Sequence, residues 1–253
     1  MSGHSKWSTI KRAKGAADAK RGQLFTKLAK ELIVAVRQGG SSDPEMNFQL
    51  RMAIQRAKDS NMPSDSIDRA IKKGSGESSG QEQVSEVFYE GYGPGGTAIL
   101  LQTLTDNKNR TVSDVRSTFT KCGGNLSEAG AVAWQFDQKG VVVVDSDSAN
   151  TDDLALVAID SGADDFETIE DTIHIYSSPE MLEQIRQSLQ DFGASVRSLE
   201  LSMLPKNTIT LDIKTAKQTL RLLDTLEDLD DVQKVFSNAD FPDDVFDQYS
   251  NPE

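Results

Sequence analysis

Among 253 residues there is a single cysteine, Cys122, so no intrachain disulfide can form, which fits a reducing cytosol. There are two histidines and no Cys/His spacing that suits a zinc site. His4 lies in a polar, basic arm. His174 alternates with Ile173 and Ile175 as on the face of a strand. Cys122 precedes a glycine pair, with no helix N-terminus to activate it. No apolar run approaches the roughly 20 residues that cross a bilayer. The longest aliphatic stretch, Leu154 to Ile159, is six residues, and the N-terminus lacks the apolar core of a signal peptide. These absences predict a cytoplasmic, non-enzymatic protein with no catalytic residues, no metal, no cofactor and no membrane partner.

Basic residues are scarce too, and their distribution is uneven. The chain carries a net charge of −13, yet residues 1–75 hold fifteen Lys/Arg against seven Asp/Glu, a balance of +8. Beyond residue 75 the count is twelve against thirty-three, a balance of −21. Such polarity predicts an anionic partner for one end only.

Residues 2–21 are polar and basic, with Trp7 and Ile10 as the only large apolar residues. Trp7 either pins this arm to the following helices or stacks on a base between Lys6 and Lys11. From Gln23 the apolar period is helical, with Leu24, Leu28, Leu32 and Ala35 on one face, and Gly39-Gly40 ends the helix. Asp43-Pro44 predicts the start of a second helix, stopped near Asn61, and Ser64 predicts the cap of a third. Residues 74–80 read as a linker. The expected surface for nucleic acid consists of Lys6, Trp7, Lys11, Arg12, Lys14, Lys20, Arg21, Lys27, Arg51, Arg56, Arg69, Lys72 and Lys73, joined by Lys108 and Arg110 from a later loop.

Val84–Glu90 and Thr97–Thr105 read as a hairpin around Gly91–Gly96. Gly91, Gly93 and Gly96 have the spacing of a dinucleotide fingerprint. That fingerprint needs a helix directly after the loop, and a strand is expected here instead. The loop could still approach a phosphate backbone closely. The polar loop of residues 105–111 reads as a turn capped by Asn109. A helix with Val112, Val115 and Phe119 inward then ends at Gly123. Val132–Phe136 and Val141–Val144 read as a hairpin turning at Gln138-Lys139-Gly140. From Val141 the order is β-α-β-β-α-β, as in ferredoxin-like domains. Residues 134–204 carry three Lys/Arg and fifteen Asp/Glu, which disfavours nucleic acid there and leaves a protein partner open. A strand over 208–213, a helix and a strand over 232–237 complete the preceding domain. Glu227, Asp228, Asp230 and Asp231 between them read as a solvated turn. The expected fold is α+β in three domains: a basic helical bundle over 1–80, a discontinuous α+β domain over 81–133 and 205–245, and an acidic ferredoxin-like domain over 134–204 inserted in it.

The runs Gly3-His4-Ser5-Lys6-Trp7, Asp18-Ala19-Lys20-Arg21-Gly22, Asn61-Met62-Pro63, Arg69-Ala70-Ile71-Lys72-Lys73-Gly74, Tyr89-Glu90-Gly91-Tyr92-Gly93-Pro94-Gly95-Gly96, Leu104-Thr105-Asp106-Asn107, Gly123-Gly124-Asn125-Leu126 and Asp230-Asp231-Val232-Gln233 together resemble the YebC/PmpR family over nearly the whole chain. The resemblance implies three domains and a DNA-binding transcriptional regulator. Relatives that look like translation factors imply an alternative partner, ribosomal RNA or the ribosome. The family's His-Arg-Lys run is Arg12-Ala13-Lys14 here, so a role resting on that histidine does not carry over. A pure protein-interaction scaffold is the third reading, and it has no need of the +8 head.

Overall fold

The computed structural model describes residues 18–76, 84–146, 151–169, 171–242 and 245. An N-terminal helical region is followed by two sheet-containing domains. These residues form two compact units. One is Gln135–Asn207, and the other joins the residues before it to those after it.

The helical region is α1 (Asp18–Gly39), α2 (Phe48–Asp59) and α3 (Ser64–Gly74). Leu28, Leu32, Ile33 and Val36 of α1 pack on Leu50, Ala53 and Ala57 of α2 and on Ile67 and Ala70 of α3. Each fully buried Leu contributes about 2 kcal/mol. Helix α2 starts later than Asp43-Pro44 suggests. Its N-cap is Asn47, whose Oδ1 accepts from the Leu50 amide at 3.0 Å while Nδ2 donates to the carbonyls of Ala35 and Ser41. Asp43 instead closes a local turn by accepting from the amide of Glu45. Asn61, at φ 57, ends α2: Met62 N donates to Ala57 O and Asn61 N to Lys58 O, a Schellman pair. Pro63, not Ser64, occupies the N-cap of α3 and gives no side-chain cap.

The first sheet has the order β3-β1-β2-β9 and is antiparallel throughout, from β1 (Ser85–Tyr92), β2 (Ala98–Thr105), β3 (Asn125–Ser127) and β9 (Val232–Ser237). Helices α4 (Lys108–Lys121) and α7 (Ile213–Glu227) share its core. Val115 and Phe119 of α4 meet Leu220, Leu223 and Leu226 of α7 over Ile99, Leu101 and Val235. The cap of α4 is Asn107 rather than Asn109. Only β8 (Ile209–Thr210) forms in the stretch expected to be a strand over 208–213; it pairs in parallel with β10 (Ala239–Asp240), and α7 starts at once behind its N-cap Asp212. The glycine loop packs on α7. A Cβ at Gly95 would lie 2.8 Å from Leu211 and 2.9 Å from Thr215, and β2 follows the loop.

The interrupting unit holds β4 (Phe136–Asp145), α5 (Thr151–Asp160), β5 (Asp165–Ile169), β6 (Thr172–Ser177), α6 (Leu182–Asp191) and β7 (Val196–Pro205). Its sheet order, β5-β6-β4-β7, is ferredoxin-like. The hairpin expected at Gln138-Lys139-Gly140 is absent. One ten-residue strand runs through it, paired with β7 from Phe136 and with β6 from Gly140 on, and Gly140 leaves room for Leu182, whose Cδ1 would lie 2.8 Å from a Cβ there.

Candidate nucleic-acid interface

The expected binding residues fall into three groups. Lys6, Trp7, Lys11, Arg12 and Lys14 lie outside the described residues, and Lys20 is described in α1 only by its backbone. A second group is tied within the protein. The ammonium of Lys27 donates to the Glu227 carbonyl at the C-terminal end of α7. Arg56 pairs with Glu31. Arg69 donates to the Asp65 carbonyl and to Ser66 on its own helix. Arg51 sits over the Phe48 ring, 5.8 Å from its centroid. The third group faces outward: Arg21, Lys72 and Lys108 are exposed and Lys73 is half-buried. Lys72 and Lys73 also complement the dipole at the C-terminal end of α3.

Arg110 belongs to a cluster that sequence reasoning did not foresee. Asp231, expected in a solvated turn, is 5% exposed. Its carboxylate accepts from Lys30 Nζ at 2.6 Å, Arg110 Nη2 at 2.9 Å and Thr111 Oγ1 at 2.8 Å. Burial pushes this carboxyl up, but the hydrogen bonds from Lys30, Arg110 and Thr111, with the charge of Lys30, outweigh it and hold the group below the usual carboxylate range. Arg110 also reaches Asp106 at 2.9 Å. Lys30 Nζ donates further to the Asp230 carbonyl, and Gln23 to the Asp230 side chain. One face of α1 (Gln23, Lys27, Lys30) therefore clasps the end of α7, and the first turn of α4 grips the same acid. Helix α1 is thereby held against the first sheet domain. Partners 120 to 207 positions apart left no local signal, although Asp106 and Asp231 both fall in the runs quoted above.

A second buried acid, Glu90 on β1, accepts from the amides of Gly130, Val132 and Ala133 at 2.7, 2.6 and 2.8 Å. Burial raises its pKa, and these backbone donors more than offset that, so it too lies below the usual range. Among the described residues no group of three or more His, Cys, Asp or Glu is arranged to hold a metal ion, and no helix is long and apolar enough to cross a membrane.

Two family models match the chain: "TACO1/YebC protein N-terminal domain" over residues 5–77 and "TACO1/YebC second and third domain" over residues 84–239. A protein of Dehalococcoides mccartyi (strain CBDB1) named a probable transcriptional regulatory protein is 59% identical over 98% of each chain. One of the same description from Chloroflexus aggregans is 51% identical over 99% of this chain and 100% of its own. The crystal structure of a conserved hypothetical protein from Aquifex aeolicus superposes with a TM-score of 0.82 at 44% identity, covering 89% of this chain and 93% of that one. Family models spanning both ends, relatives similar over their full length and a shared fold lead to one conclusion: the chain belongs to the TACO1/YebC family.

Proposed function

We propose that this member of the family is a non-enzymatic, cytoplasmic regulator of gene expression that binds nucleic acid through its basic N-terminal region, with DNA as the partner. The observation that carries this reading is the separation of charge, +8 in the first 75 residues against −21 in the rest. The relatives' description as transcriptional regulatory proteins supports it. Phosphate neutralisation dominates affinity for nucleic acid, and a scaffold has no need of a head of this charge.

The test is the salt dependence of binding to duplex DNA. Each phosphate contact contributes roughly −0.9 to the slope of log affinity against log salt. Changing Lys11, Arg12 and Lys14 together to Ala should make the slope shallower by about two to three units with the melting temperature nearly unchanged. An unchanged slope rules out the head as the phosphate-contacting surface. The same titration on structured ribosomal RNA tests the translation-factor reading, which rests on the same cations. A large affinity for RNA with none for DNA decides in its favour.

A further inference from the structure

Twelve Lys and Arg follow residue 75, in a stretch that also holds thirty-three acids. Seven of the twelve lie on two helices. Lys108, Arg110, Arg116 and Lys121 are on α4, and Lys214, Lys217 and Arg221 are on α7. Three acids accompany them there: Asp114, Asp224 and Glu227. The two helices share one core on the same sheet, so they form a single layer. Their inward faces are mostly apolar; Arg110 turns to Asp231, and the other six cations are exposed.

The spacing is helical. Lys214, Lys217 and Arg221 recur at i, i+3 and i+7 and are all exposed, opposite the buried Ala216, Leu220 and Leu223. On α4, Asn109, Ser113, Arg116, Ser117, Thr120 and Lys121 line an open concavity together with Val112. That surface offers hydroxyl and amide donors around an arginine, a set suited to phosphate oxygens. Arg116, Lys121, Lys214, Lys217 and Arg221 have no ion-pair partner among the described residues. By contrast Lys139, Arg186, Arg197 and Lys206 of the interrupting unit are each paired with an acid. In so acidic a chain, five open cations on one layer are not accounted for by packing or by internal pairing.

We propose that the outward layer of α4 and α7 is a second phosphate-binding surface, separate from the basic head, and that its occupant is the backbone of duplex DNA. This rests on the function proposed above and extends it to residues outside the head. The donors suit the backbone, since lysines and hydroxyls on a broad two-helix layer grip phosphates without reading base edges. Binding here is therefore independent of sequence.

The test uses the full-length chain with Arg116→Gln, Lys121→Gln, Lys217→Gln and Arg221→Gln combined, and a duplex DNA titrated across salt concentrations. All four side chains are exposed, so the melting curve should match that of the unchanged protein. The slope of log affinity against log salt should become shallower by about two to four units on two unrelated DNA sequences alike. A slope equal to that of the unchanged protein, while the head variant still flattens it, overturns this surface and leaves the proposed function standing. Absence of any salt-dependent DNA binding by the unchanged protein overturns both. A loss confined to structured RNA overturns the choice of DNA.

Discussion

Asp231 gathers Lys30 and Arg110 from two regions of the chain onto one buried carboxylate. Removing its charge leaves Lys30, itself mostly buried, without a counter-ion. Asp231→Asn should lower unfolding free energy by about 3 kcal/mol, the low end for a broken buried pair because Arg110 is half exposed. Denaturant titration reads this directly. Glu90→Gln places an amide nitrogen among three backbone donors and should lower stability by about 2 kcal/mol by the same measurement. Both carboxyls have folded pKa values below their unfolded ones. Their contribution is therefore complete above the ordinary carboxylate range, near about 4, and is lost as pH falls through the lower folded values. The denaturation midpoint should fall as pH drops from about 5 to about 3, and Asp231→Asn should show a shallower fall.

At the scale of elements, the crossing of α3 on α1 depends on Gly74. A Cβ there would lie 2.8 Å from Val36 Cβ and 2.9 Å from the Ile33 carbonyl. Gly74→Ala should cost about 1–3 kcal/mol through overpacking, despite the better helix propensity of alanine, and should lower the melting temperature. Helix ends were legible in the sequence because one residue's backbone preference decides them: Asn61 and Gly123 both take positive φ at the predicted stops. Helix starts were less so, because neighbouring polar residues compete and a distant partner chooses. Asn47 prevailed over Asp43 through its bond to the Ala35 carbonyl. The glycine at 140 was misread as a turn because only the packed Leu182 shows that its missing side chain, rather than its flexibility, matters. The β-α-β-β-α-β order was readable from the apolar periods and the turn residues between them. Of the candidate interface, the charge was legible, but the tying of Lys27, Arg56 and Arg110 to partners in the fold was not, since each partner depends on tertiary structure.

Across the whole molecule, acid and base are segregated by region. The stretch 134–204, with three Lys/Arg and fifteen Asp/Glu, repels phosphate over about 8 Å in physiological salt. Its ends are close: Phe136 pairs with Pro205, and Lys206 N donates to Gln135 O at 2.8 Å. Replacing residues 135–207 with a short linker should preserve DNA binding and raise its affinity at low salt. Complete loss of binding in a correctly folded deletion would show that the acidic domain takes part. The same closed neck bears on how the chain folds. Strand β9 must find β2, pairing Ser237 with Ile99 across the whole interruption. While the interrupting unit is unfolded, the two halves of the first sheet domain are joined by a tether of roughly 80 residues; once that unit has formed, the effective tether is nearer 10, and closing the longer loop costs about 2 kcal/mol more. The interrupting unit is therefore expected to fold first and act as an internal template, delivering α7 and β9 to a sheet that would otherwise wait on a slow search between distant segments.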